Sequence, residues 1–146
     1  MKKLLVILTL VFISTSLMAI DEGDFIKTKD GTFFFLKVKN TIAANFIGVK
    51  SNGEKVKFNR YDVIGYCKDG EQFEKMPVYK NNVLIGEEDF MKVVCYRNGM
   101  KLYEYEYQSG NTGKESRRYY VFKDDKFVVE MDYVNRETLT AFFDAK

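Results

Sequence analysis

Apolar and polar residues alternate along much of the chain after residue 20. In the segment EKVKF, Val56 and Phe58 point to one side of an extended strand, and the lysines beside them point to the other. This period of two predicts strands with one face packed and the other in water. The runs TFFF and KVVCY break the alternation, which is typical of strands covered on both faces or carrying a bulge.

Clusters of turn residues separate the apolar segments. Asn-Gly and Asp-Gly steps supply the positive φ angles that tight hairpin turns require. The turn signals are Asp30-Gly31, Asn52-Gly53, Asp69-Gly70, Asn81-Asn82, Asn98-Gly99, 109–113 and Asp124-Asp125. The predicted strand segments are 25–29, 32–39, 44–50, 54–58, 62–67, 71–75, 89–97, 100–107, 117–123 and 126–132. Short strands at this spacing predict an all-β fold, a mainly antiparallel sandwich or barrel.

Only the C-terminal end of the chain changes to a helical period. Leu139, Phe142 and Phe143 stand at i, i+3 and i+4 and share one helical face. We expect Asn135 to cap the start of this helix and Val134 to pack onto Leu139. The pattern predicts a short C-terminal α-helix whose apolar face lies against the sheet or closes an open end of the fold; a helix that docks into a partner's groove is the alternative.

The first 19 residues have the order of a secretory signal peptide: two lysines, an apolar run from Leu4 to Ile13, and small or polar residues up to Ala19. The run is shorter than the roughly 20 apolar residues of a transmembrane helix. We therefore expect residues 1–19 to be a cleaved leader and residues 20–146 to form a single β-rich domain. The mature protein would be periplasmic or extracellular, with no transmembrane segment after cleavage.

The mature chain is expected to be electrically balanced. The whole sequence has 23 Lys and Arg against 21 Asp and Glu, and the leader removes two lysines and no acid. A nucleic-acid-binding protein normally shows a basic excess or a basic stripe. We therefore expect no nucleic-acid partner.

Two cysteines, Cys67 and Cys95, follow the leader. Export would bring them into an oxidising compartment, where a disulfide between them would persist and stabilise the fold by roughly 3 to 4 kcal/mol. The equal alternative is two reduced thiols packed as small apolar side chains, because only a structure shows whether the Cα atoms come within bridging distance.

Residues 101–122 alternate aromatic and charged side chains on both sides of a polar centre. In a hairpin, Tyr103, Tyr105 and Tyr107 would share one face, with glutamates on the other. One interpretation is a hairpin with aromatic pairs on one face and Glu–Arg pairs on the other, each worth about 0.2 to 1 kcal/mol. The other is a tyrosine platform, with Tyr119 of the returning strand as a fourth member, that stacks a sugar or a partner's side chains.

The usual groups of enzyme chemistry are missing. The chain has no histidine, which removes the commonest general base, the usual serine and cysteine triads and most zinc sites. The loop SGNTGKE differs from a phosphate-binding loop because its glycines are too close and Glu115 stands where a hydroxyl is needed. The neighbouring acids at 87–89 would point to alternate faces of a strand. We predict no catalytic residue, no metal site and no cofactor.

Three segments carry a resemblance at the level of sequence pattern: FNRYDVIGYCKDGEQFEK, FMKVVCYRNGMKLYEY and YYVFKDDKFVVEMDYVNRETLTAFF. With the leader, they make the chain similar to small exported β-rich proteins of Gram-negative bacteria, over most of residues 20–146. That group has no established activity. The resemblance implies an envelope location and a β-rich fold, and it transfers no role to any residue.

Three functional hypotheses follow. The first is a non-catalytic exported binding module that recognises an envelope protein or a glycan. The second is a lipocalin-like carrier, because a meander of strands with a terminal helix can enclose an apolar ligand. The third is a hydrolase that works through two carboxylates, which requires a positioned acid and base.

Overall fold

The computed structural model describes residues 23–40, 45–109 and 113–141. These residues form antiparallel strands and one short C-terminal helix, so the predicted all-β class is confirmed. The predicted leader, residues 1–19, and the helical positions Phe142 and Phe143 lie outside the described residues. The strands and the helix are β1 Asp24–Thr28, β2 Gly31–Phe35, β3 Lys37–Asn40, β4 Asn45–Val49, β5 Lys55–Asn59, β6 Val63–Lys68, β7 Glu71–Lys80, β8 Val83–Arg97, β9 Met100–Ser109, β10 Lys114–Lys123, β11 Lys126–Met131 and α1 Arg136–Leu139.

The described strands form two sheets. The large sheet has the order β11-β10-β9-β8-β7-β6-β1-β2, and the small one has the order β3-β4-β5. Most strands that are consecutive in the chain and adjacent in a sheet are joined by tight turns at the predicted positions. In the β7–β8 turn, for example, Asn81 and Asn82 both have positive φ, 53° and 62°, as a two-residue hairpin turn of the primed type requires.

The predicted strand 32–39 is divided in the structure. Leu36 forms a bend and donates its backbone N–H to the Val49 carbonyl oxygen at 2.9 Å. The strand leaves the large sheet at this point and continues in the small sheet as β3. The bend allows Phe35 and Val38 to enter the same core although their positions are an odd number apart, a corner that the alternation alone did not reveal.

The first core lies between the small sheet and the β2-β1-β6 end of the large sheet. Its fully buried side chains include Ile26, Val38 and Phe46, and Tyr66 stacks on Phe73 with ring centroids 4.6 Å apart. We call this side of the large sheet the sandwich face. Two packed sheets of this kind are the sandwich element of the prediction.

The second core lies on the opposite side of the same sheet, which we call the tyrosine face. It is built around Met91, Tyr103 and Tyr120, all buried. In register, Met91 stands opposite Glu74, whose neighbour Phe73 belongs to the first core. Because successive residues of a strand point to opposite faces, the large sheet carries one core on each side.

The C-terminal helix packs on the sandwich face of β9 and β10. Asn135 Oδ1 accepts a 2.8 Å hydrogen bond from Thr138 N, which is the predicted N-cap. Val134 and Leu139 pack together with the buried Leu102 and Val121. This part of the helix therefore covers its own sheet, which is the first of the two placements expected for it.

Candidate functional site

The β9–β10 hairpin places the four predicted tyrosines on two different faces. Tyr103, Tyr105 and Tyr107 alternate along β9 and share the tyrosine face. Tyr119 stands opposite Glu104 on the sandwich face and donates its hydroxyl to Glu104 Oε2 at 3.2 Å. Tyr119 therefore does not join the other three in one surface.

Tyr103 is a core residue. Its side chain is 1% exposed, and its hydroxyl donates to Glu74 Oε2 at 2.5 Å. Lys101 Nζ holds the same carboxylate at 3.1 and 3.2 Å. Burial, and next the bond to Glu74, raise the pKa of Tyr103 far above its ordinary value. Tyr103 stabilises the hairpin and is not accessible to a ligand.

Tyr105 and Tyr107 are half-buried and stacked, with ring centroids 5.8 Å apart. The Tyr105 hydroxyl donates to Asp89 Oδ2 at 3.2 Å, and Arg60 Nη2 lies 2.7 Å from the other Asp89 oxygen. Burial, and next the Asp89 charge, raise the pKa of Tyr105 to about 12. Tyr105 is therefore neutral, and its ring is held in a fixed orientation.

Arg118 completes this part of the tyrosine face. Its Nε donates to the Tyr107 hydroxyl at 2.9 Å, and its guanidinium carbon lies 5.0 Å from the Tyr107 ring centroid. Its Nη1 donates to Glu130, whose side chain is 7% exposed. The positive charge of Arg118 is thus balanced inside the protein, and the Tyr107 hydroxyl accepts a hydrogen bond from its guanidinium group.

The far half of the β7–β8 hairpin folds over the tyrosine face. The register shifts between Pro77 and Tyr79, so that Val78 faces a bulge of three residues, 85–87, on β8. Gly86 within the bulge has a φ of 80°, a conformation that glycine adopts without strain. Such a bulge bends a hairpin, and bulges are frequent beside functional sites.

Three contacts fasten the folded hairpin to β10 and β11. The rings of Tyr79 and Phe127 stack with centroids 3.7 Å apart, and the Tyr120 hydroxyl donates to the Tyr79 carbonyl oxygen at 2.6 Å. Asn82 and Glu130 are joined by two hydrogen bonds of 3.0 Å. The β7–β11 part of the sheet therefore coils into a partly closed barrel around the second core.

A cleft of about 360 Å³ opens where the folded hairpin meets the end of the β9–β10 hairpin. We call it the tyrosine cleft. It is lined by Val78, Tyr79, Lys80, Ile85, Glu87, Tyr105, Tyr107, Gln108, Arg118 and Tyr120. Its volume lies at the small end of the range of ligand pockets, about 300 to 1,000 Å³, and barrel mouths are common places for such pockets.

Sequence reasoning found Tyr105 and Tyr107 and missed the opposite wall of the cleft. The predicted strands ended at Lys75 and resumed at Asp89, whereas β7 and β8 continue to the Asn81-Asn82 turn. That turn signal, flanked by the apolar residues of PVYK and VLIG, could have revealed the longer hairpin. The longer hairpin was not predicted because Pro77 and Gly86 argue against a central strand. In the structure, these two residues mark a bend in the hairpin.

Of the two alternatives for the disulfide candidate Cys67 and Cys95, the structure has the second, because both cysteines are free thiols. Cys67 lies on β6 and Cys95 on β8, with β7 between them. Two strand spacings place their Cα atoms roughly 10 Å apart, beyond the limit of about 7 Å for a bridge. They also point to opposite faces, because Cys95 pairs with Leu102 and Cys67 follows Tyr66. Burial raises the pKa of the Cys67 thiol.

The described residues contain no group of three or more His, Cys, Asp or Glu side chains that could hold a metal ion. They also contain no helix that is long and apolar enough to span a membrane. Of the three neighbouring acids, Glu87 lines the tyrosine cleft, Glu88 stands opposite Pro77, and Asp89 is bound to Arg60 and Tyr105.

The chain was compared with known proteins at three levels. No family model, no curated protein and no solved structure matches it.

Proposed function

We propose that the protein is a non-catalytic binding module, exported to the bacterial envelope, that holds part of a partner in the tyrosine cleft. The observation that carries this proposal is the construction of the cleft. Its aromatic wall comes from the β9–β10 hairpin and its other wall from the folded β7–β8 hairpin. The bulge at 85–87, the Asn81-Asn82 turn and the contacts of the folded hairpin with β10 and β11 are all needed to bring the two walls together.

Two side chains of the cleft are held by hydrogen bonds within the protein. Arg118 is fixed by Tyr107 and Glu130, and Tyr105 is fixed by Asp89. A site whose side chains are held by internal hydrogen bonds loses little conformational entropy on binding. Arg118 has five N–H groups, and those not used internally remain available to a ligand.

The charges around the cleft favour an uncharged ligand group. Arg118 is neutralised by Glu130, and the cleft is lined by one further cation, Lys80, and one anion, Glu87. Any charged ligand group would therefore approach a like charge as well as an opposite one. Aromatic rings supply most of the apolar contact, which suits a ring or a branched apolar group.

Binding is better supported than the two alternatives. In a carrier the ligand occupies the interior of the barrel, whereas here Met91, Tyr103 and Tyr120 fill the space inside the coil. A two-carboxylate hydrolase needs an acid and a base free to exchange protons with substrate. Asp89 and Glu130, beside the cleft, are each bound to an arginine.

The export part of the proposal rests on the leader pattern of residues 1–19 and on the resemblance to exported proteins. It is tested by expressing the full chain in a Gram-negative host and sequencing the N-terminus of the periplasmic product. We expect the mature protein to start near Ile20. A product that stays in the cytoplasm with Met1 intact would contradict export.

The binding part is tested with a matched pair of variants on β8. Ile85 lines the cleft and is 45% exposed, whereas Val83 on the same strand is 64% exposed and does not line it. The tagged mature protein and the variants Ile85→Arg and Val83→Arg are used to capture protein and glycan from an envelope extract. We expect the wild type and Val83→Arg to retain the same partner and Ile85→Arg to lose it. Equal retention by both variants would show that the cleft is not the site.

A further inference from the structure

The strands β8 and β9 pair over only part of their length. Their ladder runs from Arg97 opposite Met100 to Lys92 opposite Glu104 and ends there. Beyond that point, residues 105–109 of β9 pair with β10 on one side. The first half of β8 pairs with β7 alone. In the described part of the chain, the edge of β9 that faces away from β10 therefore has no strand partner from Tyr105 to Ser109.

The free edge begins where β8 stops pairing with β9, at Lys92, beside a register shift between Val93 and Cys95. Farther along β8, the bulge at 85–87 bends the far half of the β7–β8 hairpin over the tyrosine face. Alternate residues of an unpaired strand edge present their N–H and C=O groups outwards. Such groups are strong donors and acceptors that another strand can satisfy.

We propose that residues 105–109 of β9 accept an extended segment of a partner protein as an added strand, with one side chain of that segment in the tyrosine cleft. The inference rests on the proposed function and names the class of partner. Strand addition combines main-chain hydrogen bonds, which supply affinity, with pockets for alternate side chains, which supply specificity.

The pleat of the sheet links the edge to the cleft. A strand added beside β9 would lie about 4.8 Å away and place every second side chain on the tyrosine face. These side chains would stand next to Tyr105 and Tyr107, both of which line the cleft. One bulky residue at an alternate position of the segment would thus lie beside the two tyrosines that line the cleft.

The charges around the tyrosine cleft determine which type of partner side chain can enter it. Lys80 and Glu87 place one cation and one anion in the lining of the cleft, and Arg118 is paired with Glu130. An uncharged aromatic or branched apolar side chain meets no unbalanced charge there, and it packs against the tyrosine rings. The partner segment therefore carries such a residue flanked by residues of high strand propensity.

The edges of β9 and β11 are the two strand edges nearest the cleft, and they differ in whether another segment covers them. On β11, the backbone N–H of Glu130 donates to Asn82 Oδ1, so that the folded hairpin covers this edge. The free stretch of β9, YEYQS, has neither proline nor lysine, which are the residues that commonly protect an exposed edge. Among the residues that the structure describes, the β9 edge thus has no strand partner from 105 to 109, while the β11 edge is covered at Glu130.

The probe is a phage-displayed library of random dodecapeptides, selected on the immobilised mature protein. We expect enrichment of peptides with an aromatic or branched apolar residue at alternate positions, and loss of their binding to Ile85→Arg but not to Val83→Arg. A selected peptide is then synthesised with single N-methyl groups along its backbone. Methyl groups on alternate amides should weaken binding roughly tenfold or more, because each removes a main-chain donor, and those between should have little effect.

Hydrogen exchange of the protein gives a second readout. Alternate backbone amides among residues 105–109 should gain protection when the peptide binds. Peptides that bind with no alternating N-methyl pattern and no such protection would overturn strand addition. If no peptide is enriched but a glycan array shows binding that Ile85→Arg abolishes, the inference fails and the proposed function stands. If neither probe binds in a cleft-dependent way, both fail.

Discussion

Asn82 and Glu130 hold each other by two reciprocal hydrogen bonds across 48 positions of the chain. The backbone N–H of Asn82 donates to Glu130 Oε2, and the backbone N–H of Glu130 donates to Asn82 Oδ1, both at 3.0 Å. One residue is the tip of the β7–β8 hairpin, and the other lies on the edge strand β11. This pair fixes the folded hairpin in place and therefore the width of the tyrosine cleft.

Removing the Asn82 side chain should loosen that closure. Asn82→Gly keeps the positive φ of the turn but removes the acceptor of Glu130 N–H, so we expect a loss of about 1 kcal/mol in the free energy of unfolding. The neighbouring Asn81→Gly is the matched control, because Asn81 has a similar φ of 53° and is not a partner of Glu130. Urea unfolding measures both. Equal losses would show that the effect belongs to the turn and not to the Glu130 bonds.

Tyr103→Phe tests the buried hydroxyl. Its bond to the Glu74 carboxylate is a hydrogen bond to a charged group, so we expect a loss of about 1.5 to 3 kcal/mol in unfolding free energy. Tyr119→Phe is the comparison: its hydroxyl is 3.2 Å from Glu104, and water can replace it. We expect a clearly smaller loss there. A Tyr103→Phe variant as stable as the wild type would mean that Lys101 alone satisfies Glu74.

The tyrosines of the second core predict a loss of stability in alkaline solution. The folded pKa of Tyr105 is raised to about 12, chiefly by burial, from an ordinary value of 10.0. Because the folded pKa is the higher one, the stabilisation is complete below pH 10 and is lost as the pH rises from 10 towards 12. Tyr120 follows the same direction, also to about 12.

The measurement is the free energy of unfolding between pH 7 and 12 for the wild type and Tyr105→Phe. The variant should lose stability less steeply above pH 10, because it has one buried phenol fewer to ionise. At pH 7, the difference in unfolding free energy between the variant and the wild type gives the contribution of the Tyr105–Asp89 hydrogen bond separately. Parallel curves above pH 10 would contradict a raised pKa at Tyr105.

Gly86 should tolerate asparagine better than alanine. A Cβ at this position meets nothing within 4 Å, so the cost of Gly86→Ala comes from the φ of 80° alone, about 1 to 2 kcal/mol. Asparagine adopts positive φ more readily, and Gly86→Asn should therefore lose less. Thermal unfolding of the two variants checks the order. If alanine costs nothing, the bulge takes another conformation in solution.

Mass spectrometry of the unreduced mature protein should detect two free thiols. Alkylation under denaturing conditions should add two groups, one on Cys67 and one on Cys95, because β7 separates the cysteines. The variant Cys67→Ser should add one group and keep its fold. A linked peptide that contains both cysteines would require β6 and β8 to be adjacent, which contradicts the sheet order.

Local patterning predicted much of the fold. Alternation and turn residues located most of the strands and the described hairpin turns at Asp69-Gly70, Asn81-Asn82, Asn98-Gly99 and Asp124-Asp125, because strand period and left-handed turn residues are properties of neighbouring positions. The helix cap at Asn135 followed from the same local chemistry. The pairing of aromatic with aromatic and Glu106 with Arg117 across β9 and β10 was also expected, and the two charged side chains lie 3.0 Å apart.

The candidate site was predicted only on its β9 side. Tyr105 and Tyr107 share a face by alternation alone, but nothing in the local pattern distinguishes them from Tyr103, which stands on the same face and is buried. That difference arises because Val93 and Tyr120 flank Tyr103 in the sheet, whereas Tyr107 lies beyond the end of the β8–β9 ladder. Local sequence shows on which face a side chain lies; how far each neighbouring strand extends decides whether that side chain is covered.

Order along the chain thus specified the strands, the turns and the faces of their side chains, because these depend on residues within a few positions of one another. The separation of Cys67 from Cys95, the second core on the reverse of the same sheet, and the meeting of Asn82 with Glu130 were decided by tertiary structure. Each depends on which strands become neighbours and where the sheet bends, and these choices are made by contacts among residues far apart in the chain.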